Sequence, residues 1–169
     1  MRNRTAAAGI LVCTALLGWN SAAVAQRYNQ FTGGVHVSGG SINPYTGRET
    51  TYSGNYNSAT GARSGSVSST NPYTGTTRSA SGGYNPYTGN AYGERTAENP
   101  YTGAERTTGE AHNAYTGTTV GGTSGYNPYT GTSYQGAAGY NAYTGQYAGG
   151  ARAVNPYTGA AYGGVGYYR

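Results

Sequence analysis

Asn155-Pro156-Tyr157-Thr158-Gly159 is a stretch that the chain repeats. The same five residues open at Asn43, Asn71, Asn85, Asn99 and Asn127. Copies at Asn113 and Asn141 carry Ala in place of Pro. Two eroded copies, Asn29-Gln30-Phe31-Thr32-Gly33 and Asn57-Ser58-Ala59-Thr60-Gly61, complete the series. Successive Asn residues are always 14 apart, so the chain reads as a tandem array of ten units.

The motif has the chemistry of a turn. An Asn side chain can bond the backbone two residues on, and Pro at the next position presets the φ that such turns need. Gly closes the motif, where positive φ costs only Gly little. A four-residue connection of this kind is a common hairpin loop. Nine residues separate one motif from the next. Tyr92, Tyr134 and Tyr162 stand three past a motif Gly, and Tyr56, Tyr84, Tyr126 and Tyr140 stand just before the next Asn. Between them lie glycines such as Gly93, Gly136 and Gly149. Thr and Tyr favour strands, while Gly and Pro disfavour helix. The expected fold is an all-β repeat, either a small β-solenoid or a β-hairpin array of ten 14-residue units. The alternative is a largely disordered low-complexity chain, because so many glycines weaken strands. The Ser-rich unit at Asn57, which lacks its Tyr, is the expected soft point.

The segment from Met1 to Ala25 has the grammar of a secretory signal peptide. Arg2 and Arg4 lead an apolar stretch from Ala6 to Leu17, too short to span a bilayer, and Ala23-Val24-Ala25 offers a cleavage site. Cys13 lies inside that apolar stretch, after the bulky Val12, so it does not read as a lipidation site. The expected division is a signal at 1–25 and a repeat region at 26–169, exported to the periplasm, cell surface or beyond, with no transmembrane span after signal removal.

The repeat region has no Cys, Trp, Lys, Asp, Leu or Met. Val35, Val37, Ile42, Val67, Val120, Val154 and Val165 are its whole aliphatic bulk. Burying one such side chain is worth about 1.5–3 kcal/mol, against about 1–2 kcal/mol of backbone entropy for every residue ordered. These seven cannot fill a globular core, so stability must come from Tyr and from backbone hydrogen bonds. Arg48, Arg63, Arg78, Arg95, Arg106 and Arg152 are dispersed along the array, whereas a nucleic-acid binder would cluster them. No nucleic-acid partner is expected.

Nothing reads as a catalytic site, a metal site or a cofactor site. Phosphate-loop chemistry needs a Lys. His36 and His112 are far apart and in different phases of the repeat. The five Glu shift in position from unit to unit, and Glu94-Arg95 and Glu105-Arg106 read as self-neutralising surface pairs. Tyr is the chemically loaded residue: apolar area with a polar tip suits half-wet interfaces. The candidate interaction residues are the motif tyrosines Tyr45, Tyr73, Tyr87, Tyr101, Tyr115, Tyr129, Tyr143 and Tyr157. They can equally staple one turn to another. The motif Thr is expected to make a local hydrogen bond within the turn.

The run Tyr84-Asn85-Pro86-Tyr87-Thr88-Gly89, repeated along most of the chain, resembles uncharacterised bacterial secreted proteins with tandem Tyr-Asn-Pro-Tyr-Thr-Gly repeats. The resemblance implies export from a bacterial cell and a repeat architecture, and no activity. The copies at Asn29 and Asn57 depart from the pattern. The expected function is that of a non-enzymatic secreted or cell-envelope structural protein, self-associating or adhesive through its Tyr/Arg-rich array. The alternative is a module that binds cell-wall glycan on exposed Tyr platforms. Its partner is then itself or a cell-surface polymer.

Overall fold

The computed structural model describes residues 23–29 and 33–168. Eleven strands follow one another: β1 (Ala23–Asn29), β2 (Gly34–Ile42), β3 (Glu49–Asn57), β4 (Arg63–Thr70), β5 (Thr77–Asn85), β6 (Asn90–Asn99), β7 (Ala104–Asn113), β8 (Thr118–Asn127), β9 (Thr132–Asn141), β10 (Tyr147–Asn155) and β11 (Ala160–Tyr168). They form one open antiparallel sheet whose spatial order is the chain order. The architecture is therefore the hairpin array, not coils wound into a solenoid. Residues 1–22 of the expected signal lie outside the described residues. The expected cleavage site begins β1, with Ala23 opposite Gly40 and Ala25 opposite Ser38.

The described motifs reverse the chain by one mechanism. The Asn113 carboxamide oxygen accepts from the backbone N–H groups of Tyr115 and Thr116, both at 2.9 Å. The Gly47 N–H donates to the Asn43 carbonyl at 2.7 Å, and Asn43 N–H donates to the Arg48 carbonyl at 2.8 Å. That last pair closes a loop of four residues. The ten closing glycines, from Gly33 to Gly159, all have φ between 61° and 69°, the left-handed region that a Cβ disfavours. The motif Thr bonds locally as expected: Ala104 N–H donates to the Thr102 hydroxyl at 3.3 Å.

The Ser-rich unit turns like the others. Asn57 accepts from Ala59 and Thr60 at 3.0 and 3.2 Å, and Gly61 has φ of 67°. This copy has neither Pro nor Tyr and makes the same turn. Asn, Thr and Gly are thus sufficient for the reversal, and Pro and Tyr elsewhere are free for another task.

The sheet is one layer deep. Among the described residues no hydrophobic side chain is buried. The buried residues are glycines of the turns, Gly89, Gly117 and Gly131. Each lies under the tyrosine of the motif two units further along: Tyr115, Tyr143 and Tyr157 respectively. Elsewhere a proline takes that place, as Pro72 does over Gly47 and Pro128 over Gly103. The densest packing is therefore between turns at the rim, and the middle is held by its backbone ladder and cross-strand pairs, each pair worth about 0.2–1 kcal/mol.

Two glycines separate backbone strain from packing. A Cβ at Gly145 would meet nothing within 4 Å, whereas one at Gly131 would stand 2.6 Å from the Tyr157 ring. Gly145→Ala should cost about 1–2 kcal/mol from left-handed strain alone. Gly131→Ala should cost more, because it also lifts the ring off its seat. In a Tyr157→Ala background the two substitutions should become equivalent in urea unfolding followed by circular dichroism.

Candidate functional site

Consecutive strands run antiparallel, so consecutive turns fall at opposite edges of the sheet. The first edge carries the motifs opened by Asn29, Asn57, Asn85, Asn113 and Asn141. The second carries those opened by Asn43, Asn71, Asn99, Asn127 and Asn155. All five copies on the second edge are intact, and only the Asn85 copy on the first edge is. Five of the six prolines therefore line one edge.

The difference changes how turns bind one another. On the first edge the residue after Asn retains its N–H in every copy but the one with Pro86. Ala114 donates to the Gly89 carbonyl and Ala142 to the Gly117 carbonyl, both at 2.8 Å, and Ser58 donates to Gly33 at 3.0 Å. Asn113 and Asn141 add side-chain bonds to the Thr88 and Thr116 carbonyls, both at 3.1 Å. The Tyr115 hydroxyl donates to the Pro86 carbonyl at 2.6 Å and Tyr143 to the Ala114 carbonyl at 2.9 Å. On the second edge Pro has no N–H to give, and the turns meet through Pro and Tyr rings instead.

The eight candidate tyrosines do not converge. Tyr87, Tyr115 and Tyr143 stand on the first edge, and Tyr45, Tyr73, Tyr101, Tyr129 and Tyr157 on the second. Their exposure runs from 63% at Tyr115 to 91% at Tyr45. Neighbouring motifs on an edge are two strands apart, so the rings recur about every 9.6 Å. Several do both expected jobs, covering a glycine and leaving most of the ring in water.

A second feature is absent from the motif itself. Side chains alternate between faces along a strand, and paired residues share a face. A step of one repeat unit moves a position to the other edge and also to the other face. Tyr56, Tyr84, His112, Tyr140 and Tyr168, each beside the first edge, share one face. Ile42, Thr70, Glu98, Tyr126 and Val154, each beside the second edge, share the other.

The two faces are chemically unlike. One is aromatic and basic. It carries Tyr52, Tyr56, Tyr84, Tyr134, Tyr140, Tyr147, Tyr162 and Tyr168 with Arg63, Arg78, Arg95 and Arg106, against a single acid, Glu110. The Arg63 guanidinium lies 5.3 Å from the centre of the Tyr84 ring, a cation–π contact across the pair. A row behind the tyrosines on this face is small except at Glu110: Gly54, Gly65, Gly82 and Gly93 precede it, and Gly121, Ala138 and Gly149 follow. At Gly82 a Cβ would stand 2.9 Å from the Tyr92 carbonyl oxygen.

The other face is hydroxylated and acidic from β3 to β7, and it also carries Tyr92, Tyr126 and Tyr167. Ser53, Ser66 and Ser81 form one row and Thr51, Ser68, Ser79, Thr96 and Thr107 the next. Ser53 and Ser66 bond at 2.9 Å across the strands. Apart from Thr107, these hydroxyls line with Glu94 a shallow hollow of about 490 Å³. Glu49, Glu94, Glu98 and Glu105 lie on this face, with Arg27 and Arg152.

The expected pairs Glu94-Arg95 and Glu105-Arg106 do not form. Neighbours on a strand point to opposite sides of the sheet, so each arginine faces away from its glutamate. The two histidines also fall on opposite faces. His36 Nδ1 bonds the Asn55 carboxamide at 2.7 Å and His112 Nδ1 bonds the Thr119 hydroxyl at 2.8 Å. Reading the positions before each Asn two units at a time would have exposed the two unlike faces. Reading one unit at a time averages them.

The first-edge hydroxyl bonds can be weighed directly. Tyr115→Phe should lower stability by about 0.5–1.5 kcal/mol in chemical unfolding, through loss of the bond to Pro86. Tyr101→Phe, on the second edge, should stay within about 0.5 kcal/mol. Compared with known protein families, with curated proteins and with solved structures, the chain matches none.

Proposed function

We propose that the chain is an exported, non-enzymatic structural repeat protein that self-associates or adheres through its Tyr/Arg-rich array. One observation carries this reading: the sheet is a single layer with no buried side-chain core among the described residues, and most of its tyrosines stand in water. Exposed apolar patches of this extent mark surfaces that bind something. Repetition makes many weak contacts add as one strong one. Export follows from the reading of residues 1–25.

Dynamic light scattering on the full chain, across a concentration series, tests this reading. The expected result is particle size that grows with concentration, together with retention on cell-envelope fractions. A chain that remains single at high concentration and ignores those fractions would remove the basis for the proposal.

The even row of rings on the second edge favours one alternative, a module for cell-wall glycan. Rings about 9.6 Å apart suit the repeat of an extended β-1,4-linked disaccharide, with one ring per repeat. Tyr101→Ala with Tyr129→Ala removes two adjacent platforms. Saturable binding to purified cell-wall glycan should then fall about tenfold or more, since two adjacent contacts of a multivalent row are lost together. Unchanged binding would exclude these rings as platforms.

A further inference from the structure

Glu98 and Glu105 are directly opposite one another on β6 and β7. Like charges in that position destabilise a sheet. Their row neighbours, Thr77 and Tyr126, bring no positive charge. One residue away along the strands, on the other face, Arg78 and Arg106 flank Ala97 in a single cross-strand row. All four charged side chains are exposed. Each face thus holds an uncompensated pair, of opposite sign, at nearly the same place in the sheet.

We propose that copies of this chain stack face to face, the aromatic basic face of one on the hydroxylated acidic face of the next. This rests on the self-association reading and names its geometry. A copy displaced along the sheet normal, with like edge over like edge, brings Arg78 and Arg106 over the neighbour's Glu98 and Glu105. Packed sheets lie about 10 Å apart, a gap that an arginine from one side and a glutamate from the other span together. Tyr52 of one face then lies beside the Thr51 and Ser53 ends of the hydroxyl rows of the next, and the tyrosines of β9–β11 lie over Gln135, Ala137 and Val165.

The area is sufficient. Nine of the eleven strands have nine or ten residues and are about 30 Å long, and the sheet extends about 48 Å across its strands. Stacking would hide about 2,900 Å² in total, above the roughly 1,200–2,000 Å² of an ordinary stable interface. Unlike surfaces meet, so the contact is head-to-tail and does not close. It continues into a filament.

Charge reversal tests this arrangement. Arg78→Glu with Arg106→Glu leaves both faces acidic in this region. Glu98→Arg with Glu105→Arg leaves both basic. In sedimentation velocity on the full chain, each variant alone should need at least about tenfold higher concentration to assemble. An equimolar mixture of the two should assemble again, because each presents the face the other lost. The four-fold variant should also assemble with itself. Raising salt from about 0.05 to about 0.5 M should weaken wild-type assembly. Circular dichroism of each variant, and the neutral Arg78→Gln with Arg106→Gln, separates lost assembly from lost fold, and recovery on mixing cannot come from unfolded chains. Variants that assemble like the wild type, or a mixture that stays single, would overturn the stacking while leaving self-association intact. A wild-type chain that never assembles would overturn both. So would one that stays single and takes up calcium through Glu98 and Glu105.

Discussion

An asparagine carboxamide that accepts from one or two backbone amides turns this chain in each described repeat unit. Everything else in the sheet depends on that bond and on the left-handed glycine that follows. In most sheets a buried face selects the register, because a slip by one residue would expose the core. Here no such face exists among the described residues. The register must come from the turns, and each turn supplies it locally through Asn, Thr and Gly. The copy opened by Asn57 shows that these three are sufficient.

Register, once set, distributes the chemistry. Tyr56 and Tyr84 share a face because they are two units apart, whereas Glu98 is one unit further on and lies on the other. The same rule segregates the edges. Alanine or serine after the turn Asn gives the first edge a backbone N–H, and with it a ladder of bonds from turn to turn. Proline at every copy on the second edge forbids that ladder and leaves ring packing in its place. The second edge and the two faces are therefore where contacts to other molecules are least constrained by the fold itself.

Much of this was legible in the residues. The turns followed from Asn, Pro and Gly at fixed offsets. The strands followed from Thr, Tyr and the nine-residue intervals, and the missing core from seven aliphatic side chains. The choice between coil and hairpin was not legible, because both close a 14-residue unit with the same turn. Pairing β1 to β11 in chain order decides it. Glu94-Arg95 reads as self-neutralising only if adjacency in sequence is adjacency in space, and in a strand the opposite holds. The unlike faces stayed hidden for a related reason: the obvious unit of the sequence is half the geometric unit of the sheet.

That mismatch bears on how such an array can change length. Recombination between tandem copies gains or loses whole units. Removal of one unit would leave every turn intact, yet it would invert all residues beyond the breakpoint, so that arginines joined the serine side and glutamates the tyrosine side. Removal of two adjacent units would preserve both sides. Length variants that keep the two sides unmixed therefore differ by even numbers of units, a parity rule imposed by the pleat and invisible in the repeat motif.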